Sequence, residues 1–322
     1  MTDPKKSRIP KVSVVIPVYN EEESLPGLFA RLYPAMDALG RSYECVFVDD
    51  GSLDRSAALL REQFEKHPEV TRVVLLQSNF GQHAAILAGF AVSRGEAVIT
   101  LDADLQNPPE EVGNLLLKMD EGYDYVGTIR RKRRDSAWRR LASRMMNRLR
   151  ERITKVKMTD QGCMLRAYAR HVVDAINSTS EINTFIPALA YLYALKPVEI
   201  EVEHNEREAG RSKYSLYKLI RLNFDLVTGF SVVPLQVFSF IGVLIAAASL
   251  LMFVILIIYR LVNPEGAVQG VFTLFAIVFF FIGILLFGIG LLGEYIGRIY
   301  QEVQRRPRFL IRAILEKKST NE

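Results

Sequence analysis

Asp102 and Asp104 stand two residues apart where the apolar run AVITL ends, and at a strand's period of two their side chains leave the same side of the chain. Two unit charges about 4 Å apart interact by roughly 4 kcal/mol at an effective dielectric near 20, so the pair calls for a cation or a shared proton. Oxygen ligands suit a hard divalent metal ion, Mg²⁺ or Mn²⁺, which keeps positions open for phosphate oxygens, and Gln106 adds a neutral oxygen two residues on. The plainer alternative is a turn or helix-capping aspartate ahead of Pro108 and Pro109. A second acidic cluster, Asp49 and Asp50 in VDDGS, ends an earlier apolar run. With Gly51 and Ser52 behind it, Asp50 either makes a turn and caps a helix or accepts hydrogen bonds from a base or ribose.

These carboxylates need elements to bring them together. From Lys11 to Ile129, apolar β-branched runs (VSVVIPVY, YECVFVD, VTRVVLL, AVITLD, YDYVGTI) alternate with stretches of helical period at Ser24–Leu39, Ser56–Phe64, Ala84–Val92 and Glu110–Met119. That alternation predicts an α/β domain around a mixed, mostly parallel sheet, Rossmann-like in its winding. Ligands of such a sheet collect at the carboxyl ends of its strands, so Asn20, Asp50, Asn79 and Asp102 should face one crevice. Downstream, Ala137–Arg152 reads as a basic amphipathic helix and Tyr214–Phe230 as a second one, suited to an interface with lipid head groups.

The chain has 322 residues and a net charge of +5, but charge is unevenly placed. Leu226–Tyr259 and Gly266–Gly293 contain no charged residue, and each exceeds the roughly 20 residues needed to cross a bilayer. They predict a hairpin of two transmembrane helices, at about 233–259 and 269–293. Arg and Lys crowd Arg207–Arg221 before it and Arg298–Lys318 after it, which puts both termini on the cytoplasmic side. The expected layout is a cytoplasmic domain at 1–212, an interfacial helix at 213–231, the hairpin within 232–297 and a basic tail at 298–322. The short apolar stretch Val12–Tyr19, cut by Pro17 and followed by Glu21, Glu22 and Glu23, reads as a strand and not a signal peptide. Basic residues beside the spans, interleaved with apolar ones, suit anionic lipid and argue against nucleic acid. Cys45 and Cys163 have neither metal-ligand nor disulfide spacing.

Pro17-Val-Tyr-Asn-Glu21, VDDGS and DADLQNPPEE, in this order, resemble the polyprenyl-phosphate glycosyltransferases of glycosyltransferase family 2, and the resemblance continues through Asp160–Arg166, Arg207–Tyr214 and GLLGEYIGRIY. Within that family NFGQHAAILAGF, QNPPEE, GCMLRAY and TFIPALA look most like the branch that transfers 4-deoxy-4-formamido-L-arabinose to undecaprenyl phosphate for lipid A modification and polymyxin resistance. The resemblance implies a GT-A fold, a UDP-sugar donor, an undecaprenyl phosphate acceptor, a bacterial inner-membrane location and a homo-oligomer, tetramers being common among relatives.

By the same resemblance, Pro17, Tyr19, Glu21 and Asp50 hold the base and ribose, and Asp102, Asp104 and Gln106 hold the metal and the donor diphosphate. Arg207, Ser212 and Lys213 grip donor phosphates, while Arg130, Arg133 and Arg139 receive the lipid phosphate. Asp102 and Asp160 are the catalytic carboxylates. Several relatives have a second acidic residue where this chain has Cys163, and an arginine where it has Ile182 after Glu181.

A phosphate monoester has a second pKa near 6, so the attacking oxygen is largely ionised at neutral pH and needs no strong base. Asp160 then orients the sugar or acceptor, acts as a base, or is structural. His83 reads as a packing or hydrogen-bonding residue at a helix start, and Glu294 with Arg298 as an interfacial ion pair. The resemblance also implies inversion at the anomeric carbon. Two readings compete: transfer of glucose or another hexose, and a non-catalytic nucleotide-binding scaffold in the membrane.

Overall fold

The computed structural model describes residues 10–130, 159–160, 163–179, 185–202, 232–262, 271–304 and 306–317. The first stretch alternates strand and helix as the apolar runs require: β1 (Val12–Val18), α1 (Leu25–Ala38), β2 (Tyr43–Asp49), α2 (Ser56–Lys66), β3 (Thr71–Leu76), α3 (Gln82–Val92), β4 (Ala97–Thr100), a 3₁₀ turn (Pro109–Glu111), α4 (Val112–Asp120) and β5 (Tyr125–Arg130). Then come β6 (Arg166–Ala169), α5 (Arg170–Ser178), α6 (Ile186–Tyr193) and β7 (Pro197–Val202). Two long helices follow, α7 (Val233–Val262) and α8 (Val271–Val303), and a last strand, β8 (Ile311–Leu315).

The eight strands form one sheet in the order β7-β5-β6-β4-β1-β2-β3-β8. Pairing is parallel for β1 with β2, β1 with β4, β2 with β3 and β5 with β7, and antiparallel around β6 and β8. The central strands read as unbroken apolar runs because helices cover both faces of a parallel sheet. Val14, Val15, Ile16, Val46, Phe47, Val48, Val73 and Val74 are fully buried. Helix α1 lays Leu25, Leu28, Leu32 and Met36 on this core at helical spacing. Helix α3 packs tightly on the sheet, where a Cβ on Gly89 would overlap Val15.

From β1 the chain winds outward to β2 and β3, then returns to place β4 on the other side of β1. Such a reversal opens a crevice at the carboxyl ends of the strands on either side of it. The stretches after β1, β2, β3 and β4 therefore border one space.

Strand β8 closes the β3 edge antiparallel, with Val73 opposite Leu315 and Leu75 opposite Ala313. It brings Glu316 onto Arg72 at 2.6 Å and Arg94 at 2.7 Å, while Arg72 also lies 3.6 Å from buried Glu44. Glu44 in turn accepts hydrogen bonds from the Ser13 hydroxyl and the Arg94 N–H, both at 2.6 Å. The basic tail expected at 298–322 thus contains an edge strand of the sheet.

The chain forms two compact units: the described residues up to 202 with 306–317, and those from 232 to 304. In the second unit, α8 contains a stretch, Phe280–Gly297, long and apolar enough to cross a membrane, and α7 contains the shorter apolar stretch Leu235–Ile245. Gly288 of α8 lies directly against the ring of Phe238 on α7. The helices expected at Ala137–Arg152 and Tyr214–Phe230 lie outside the described residues.

Candidate active site

The rim of the crevice is built from two loops stapled together. After β1, Asn20 adopts a left-handed backbone at φ +55°, which asparagine tolerates better than most residues. Its N–H donates to Ser52 Oγ at 3.0 Å, and its Oδ1 accepts the N–H of Leu53 at 2.8 Å. The Glu21 N–H donates to Ser56 Oγ at 2.9 Å, the Glu22 carboxylate accepts the N–H of Arg55 at 3.0 Å, and the Asp54 carboxylate accepts the N–H of Glu22 at 3.1 Å and of Ser56 at 2.9 Å. The Glu21 carboxylate accepts from Ser24 Oγ at 2.7 Å. Pro17 lies within β1 opposite Val48, and Tyr19 is 44% exposed at the rim.

Asp50 is buried, and its two carboxylate oxygens accept the backbone N–H of Phe80 at 2.7 Å and of Gly81 at 2.8 Å. Burial raises its pKa, against the lowering effect of those two bonds. Asp49 caps the following turn through the N–H of Ser52. Gly51 has φ +69°, and a Cβ there would come within 2.6 Å of the Ser78 backbone and 2.8 Å of that of Asn79. Glycine is therefore required where the β2 loop meets the turn after β3. Gln82, next along that turn, donates its side-chain amide to Asp102 Oδ1 at 2.7 Å.

Beyond β4 the two-residue period persists: Ala103 is buried, while Asp102 and Asp104 on either side are partly exposed. Leu105 at φ +59° then reverses the chain. Leucine pays a steric penalty in that region, and packing holds it there, its Cδ1 lying 3.0 Å from where a Cβ on Gly27 would stand. The reversal lets Asp104 Oδ1 accept the N–H of Gln106 at 3.1 Å. Among the described residues no three His, Cys, Asp or Glu side chains gather as a self-sufficient metal cage. Two partly exposed carboxylates on one side of the chain fit a hard cation that takes its remaining oxygens from a bound phosphate.

Asp160 is buried, and its position depends on a residue whose role the motifs do not disclose. Arg166, fully buried at the start of β6, donates to the Asp160 backbone carbonyl at 2.7 Å, to the Cys163 carbonyl at 2.8 Å and to the Tyr125 hydroxyl. Cys163 donates to Asn107 Oδ1 at 3.4 Å and lies 2.8 Å from Thr128 Oγ1. Burial pushes its thiol pKa up, so it stands as a neutral thiol. His83 has a buried Nδ1 and lies edge-on to Phe185, with ring centroids 5.4 Å apart. Burial, with the charge of Arg166, pushes its pKa down to about 4.

The described structure thus brings Asp50, Asp102, Asp104 and the Asn20 loop to one edge. Arg130 ends β5, with its side chain outside the description. Arg133, Arg139, Glu181, Ile182, Arg207, Ser212 and Lys213 also lie outside the described residues. Sequence reasoning missed Gln82 and Arg166, although both lie inside quoted motifs, because polar residues followed by an apolar helix or strand look like ordinary caps.

A mixed sheet with this strand order, a switch beside β1 and a paired-aspartate turn at its edge defines the GT-A fold of glycosyltransferases. Residues 13–176, just over half the chain, match the family described as glycosyl transferase family 2, and the chain belongs to that family. Among solved structures it is similar to glucosyl-3-phosphoglycerate synthase from Mycobacterium tuberculosis in complex with phosphoglyceric acid, at 18% identity over 68% of this chain and 78% of that one, with a TM-score of 0.46. Mannosyl-3-phosphoglycerate synthase from Rubrobacter xylanophilus matches at 17% identity over 68% and 72%, with a TM-score of 0.46. A mannosyltransferase from Pyrobaculum calidifontis in complex with GDP-Man and Mn²⁺ matches at 19% identity over 68% and 61%, with a TM-score of 0.45.

Proposed function

We propose that this glycosyltransferase moves 4-deoxy-4-formamido-L-arabinose from a UDP donor to undecaprenyl phosphate, with inversion at the anomeric carbon, at the cytoplasmic face of the bacterial inner membrane. The observation that carries the donor half of this reading is the turn at Phe80–Gln82. It bonds to Asp50 with its backbone and to Asp102 with a side chain, tying two acidic clusters into one edge. The acceptor half rests on the apolar stretch Phe280–Gly297, of which only 11% is buried, so its surface is left for lipid. The chain is then a multi-pass membrane protein with both termini cytoplasmic, and a homo-oligomer.

In this reading the Asn20 loop and Asp50 hold the uridine, with Pro17, Tyr19 and Glu21 around it. Asp102 and Asp104, with Gln106, would hold Mg²⁺ or Mn²⁺, which supplies positive charge to the departing diphosphate. The lipid phosphate is already ionised, so Asp160 serves to orient the acceptor or sugar, and its burial supports that role over free proton exchange with solvent. The remaining demand is to hold two anions together, which falls to Arg130, Arg133, Arg139, Arg207, Ser212 and Lys213.

The test incubates purified protein with undecaprenyl phosphate and a panel of UDP-sugars, including UDP-4-deoxy-4-formamido-L-arabinose. The lipid-linked product should form from that donor, stop in EDTA and be lost in Asp104→Asn while the variant stays folded and membrane-bound. Turnover in EDTA overturns the metal role. Preference for UDP-glucose makes the protein a hexosyltransferase, and no transfer from any donor leaves a nucleotide-binding scaffold.

A further inference from the structure

Gln82 opens α3 one residue after Gly81 and is exposed, so core packing does not require an amide there. Its carboxamide nonetheless reaches Asp102 Oδ1 at 2.7 Å, within the range of a charge-assisted hydrogen bond. The residues immediately before it, Phe80 and Gly81, are fixed by their two bonds to buried Asp50. Gln82 thus approaches Asp102 from a turn whose own position is set by the carboxylate at the far end of the same edge.

The chemistry of the donor group matters. A lysine or arginine in this place would orient Asp102 equally well, but it would also neutralise the carboxylate and compete with any cation for it. A carboxamide donates a hydrogen bond and leaves the negative charge intact. It also fixes one oxygen of Asp102 by a hydrogen bond, which favours one orientation of the carboxylate towards a ligand and lessens the rotamer freedom lost on binding.

We propose that Gln82 is a positioning residue for donor binding: it orients Asp102 towards the nucleotide diphosphate and its divalent cation without neutralising it. This rests on reading Asp102 and Asp104 as the diphosphate site.

The experiment uses full-length protein in detergent and measures Mn²⁺–UDP binding, by titration calorimetry and by the electron paramagnetic resonance signal of free Mn²⁺, beside the KM values for donor and acceptor. Gln82→Ala should weaken Mn²⁺–UDP binding and raise the donor KM by about tenfold, as loss of one charge-assisted bond implies. The acceptor KM and the melting temperature should not move. In an Asp102→Ala background, Gln82→Ala should have no further effect, because the amide then has nothing to orient. Gln82→Lys should restore no affinity, since it neutralises Asp102 while keeping a donor.

Equal losses in the two backgrounds, parallel rises in both KM values, or native binding by Gln82→Ala would each overturn the proposal. Asp104→Asn separates this failure from that of the underlying reading. If Asp104→Asn loses Mn²⁺–UDP binding while Gln82→Ala keeps it, only the positioning role falls. If Asp104→Asn binds and transfers like the native chain, the diphosphate site and the positioning role fall together.

Discussion

His83 follows Gln82 in sequence but faces a different environment: a buried Nδ1, the edge of Phe185 and the nearby charge of Arg166, which together hold its pKa down at about 4. A free histidine takes up its proton near 6.5, so below that pH the unfolded chain binds more protons than the folded one, and folding weakens as pH falls. For these two values the loss between pH 7 and pH 5 is about 2 kcal/mol. His83→Gln should flatten this part of the stability curve, seen as a smaller fall in melting temperature between the two pH values; an identical fall in both proteins removes His83 as the cause. Gly51 makes a sharper demand. At φ +69°, with the Ser78 and Asn79 backbone in the way, Gly51→Ala should destabilise the domain by about 2–4 kcal/mol and weaken UDP binding through Asp50, both readable in one melt with and without UDP. At this scale Asp102 and Asp104 were legible because alternation alone puts them on one side of a strand end. Gln82 and Arg166 were not, since the bonds that give them meaning, to Asp102 and to Tyr125, cross between elements that sequence spacing does not relate.

Strands β1 to β5 and helices α1 to α4 fall within three residues of where their apolar patterns place them, as expected for runs whose two faces are both buried. Strand β8 escaped for the opposite reason. IRAIL is half exposed, sits among basic residues, and pairs with β3, which lies more than two hundred residues earlier in the chain. What fastens it is also long-range: Glu316 bridges Arg72, whose side chain is only 9% exposed, and Arg94, while Lys317 pairs with Glu69. Removing Glu316 leaves Arg72 with the Val92 carbonyl and, as its remaining carboxylate, Glu44 at 3.6 Å. Breaking a partly buried pair on one side costs more than the pair contributes, because a charge remains with its solvation unreplaced. Glu316→Ala should therefore destabilise the domain by about 1–2 kcal/mol, a fall of several degrees in melting temperature. Arg94→Ala, at an exposed partner, should cost well under 1 kcal/mol. Equal effects from the two variants would show that β8 is held by its backbone pairing and not by the carboxylate.

At the scale of the whole molecule, the charge-free runs announced long apolar helices, and the helices extend past them. Helix α8 continues from Phe280–Gly297 to Val303, through Glu294 and Arg298, because residues such as Tyr295, Ile296 and Ile299 sustain a helical pattern after the uncharged run has ended. Its middle is exposed apolar surface: Leu285 at 62%, Phe287 at 67% and Ile289 at 56%. A core helix of a water-soluble protein would bury these side chains, each representing roughly 1.5–3 kcal/mol of burial, whereas a helix in lipid needs no such cover. A charge introduced there discriminates between the two settings. In a bilayer, Ile289→Arg places a guanidinium near the middle of the span at a cost of about 2.5–3.5 kcal/mol, and should shift the chain from the alkali-resistant membrane fraction into the soluble or degraded one. On a water-exposed helix the same substitution would be nearly neutral and would leave fractionation unchanged. Arg306→Ala, beyond α8, serves as the control that alters charge outside the span. If Ile289→Arg fractionates and transfers like the native chain, the acceptor reaches this enzyme by some route other than a bilayer around α8, and the lipid half of the proposed function falls while the nucleotide-sugar half stands on Asp50, Asp102 and Asp104.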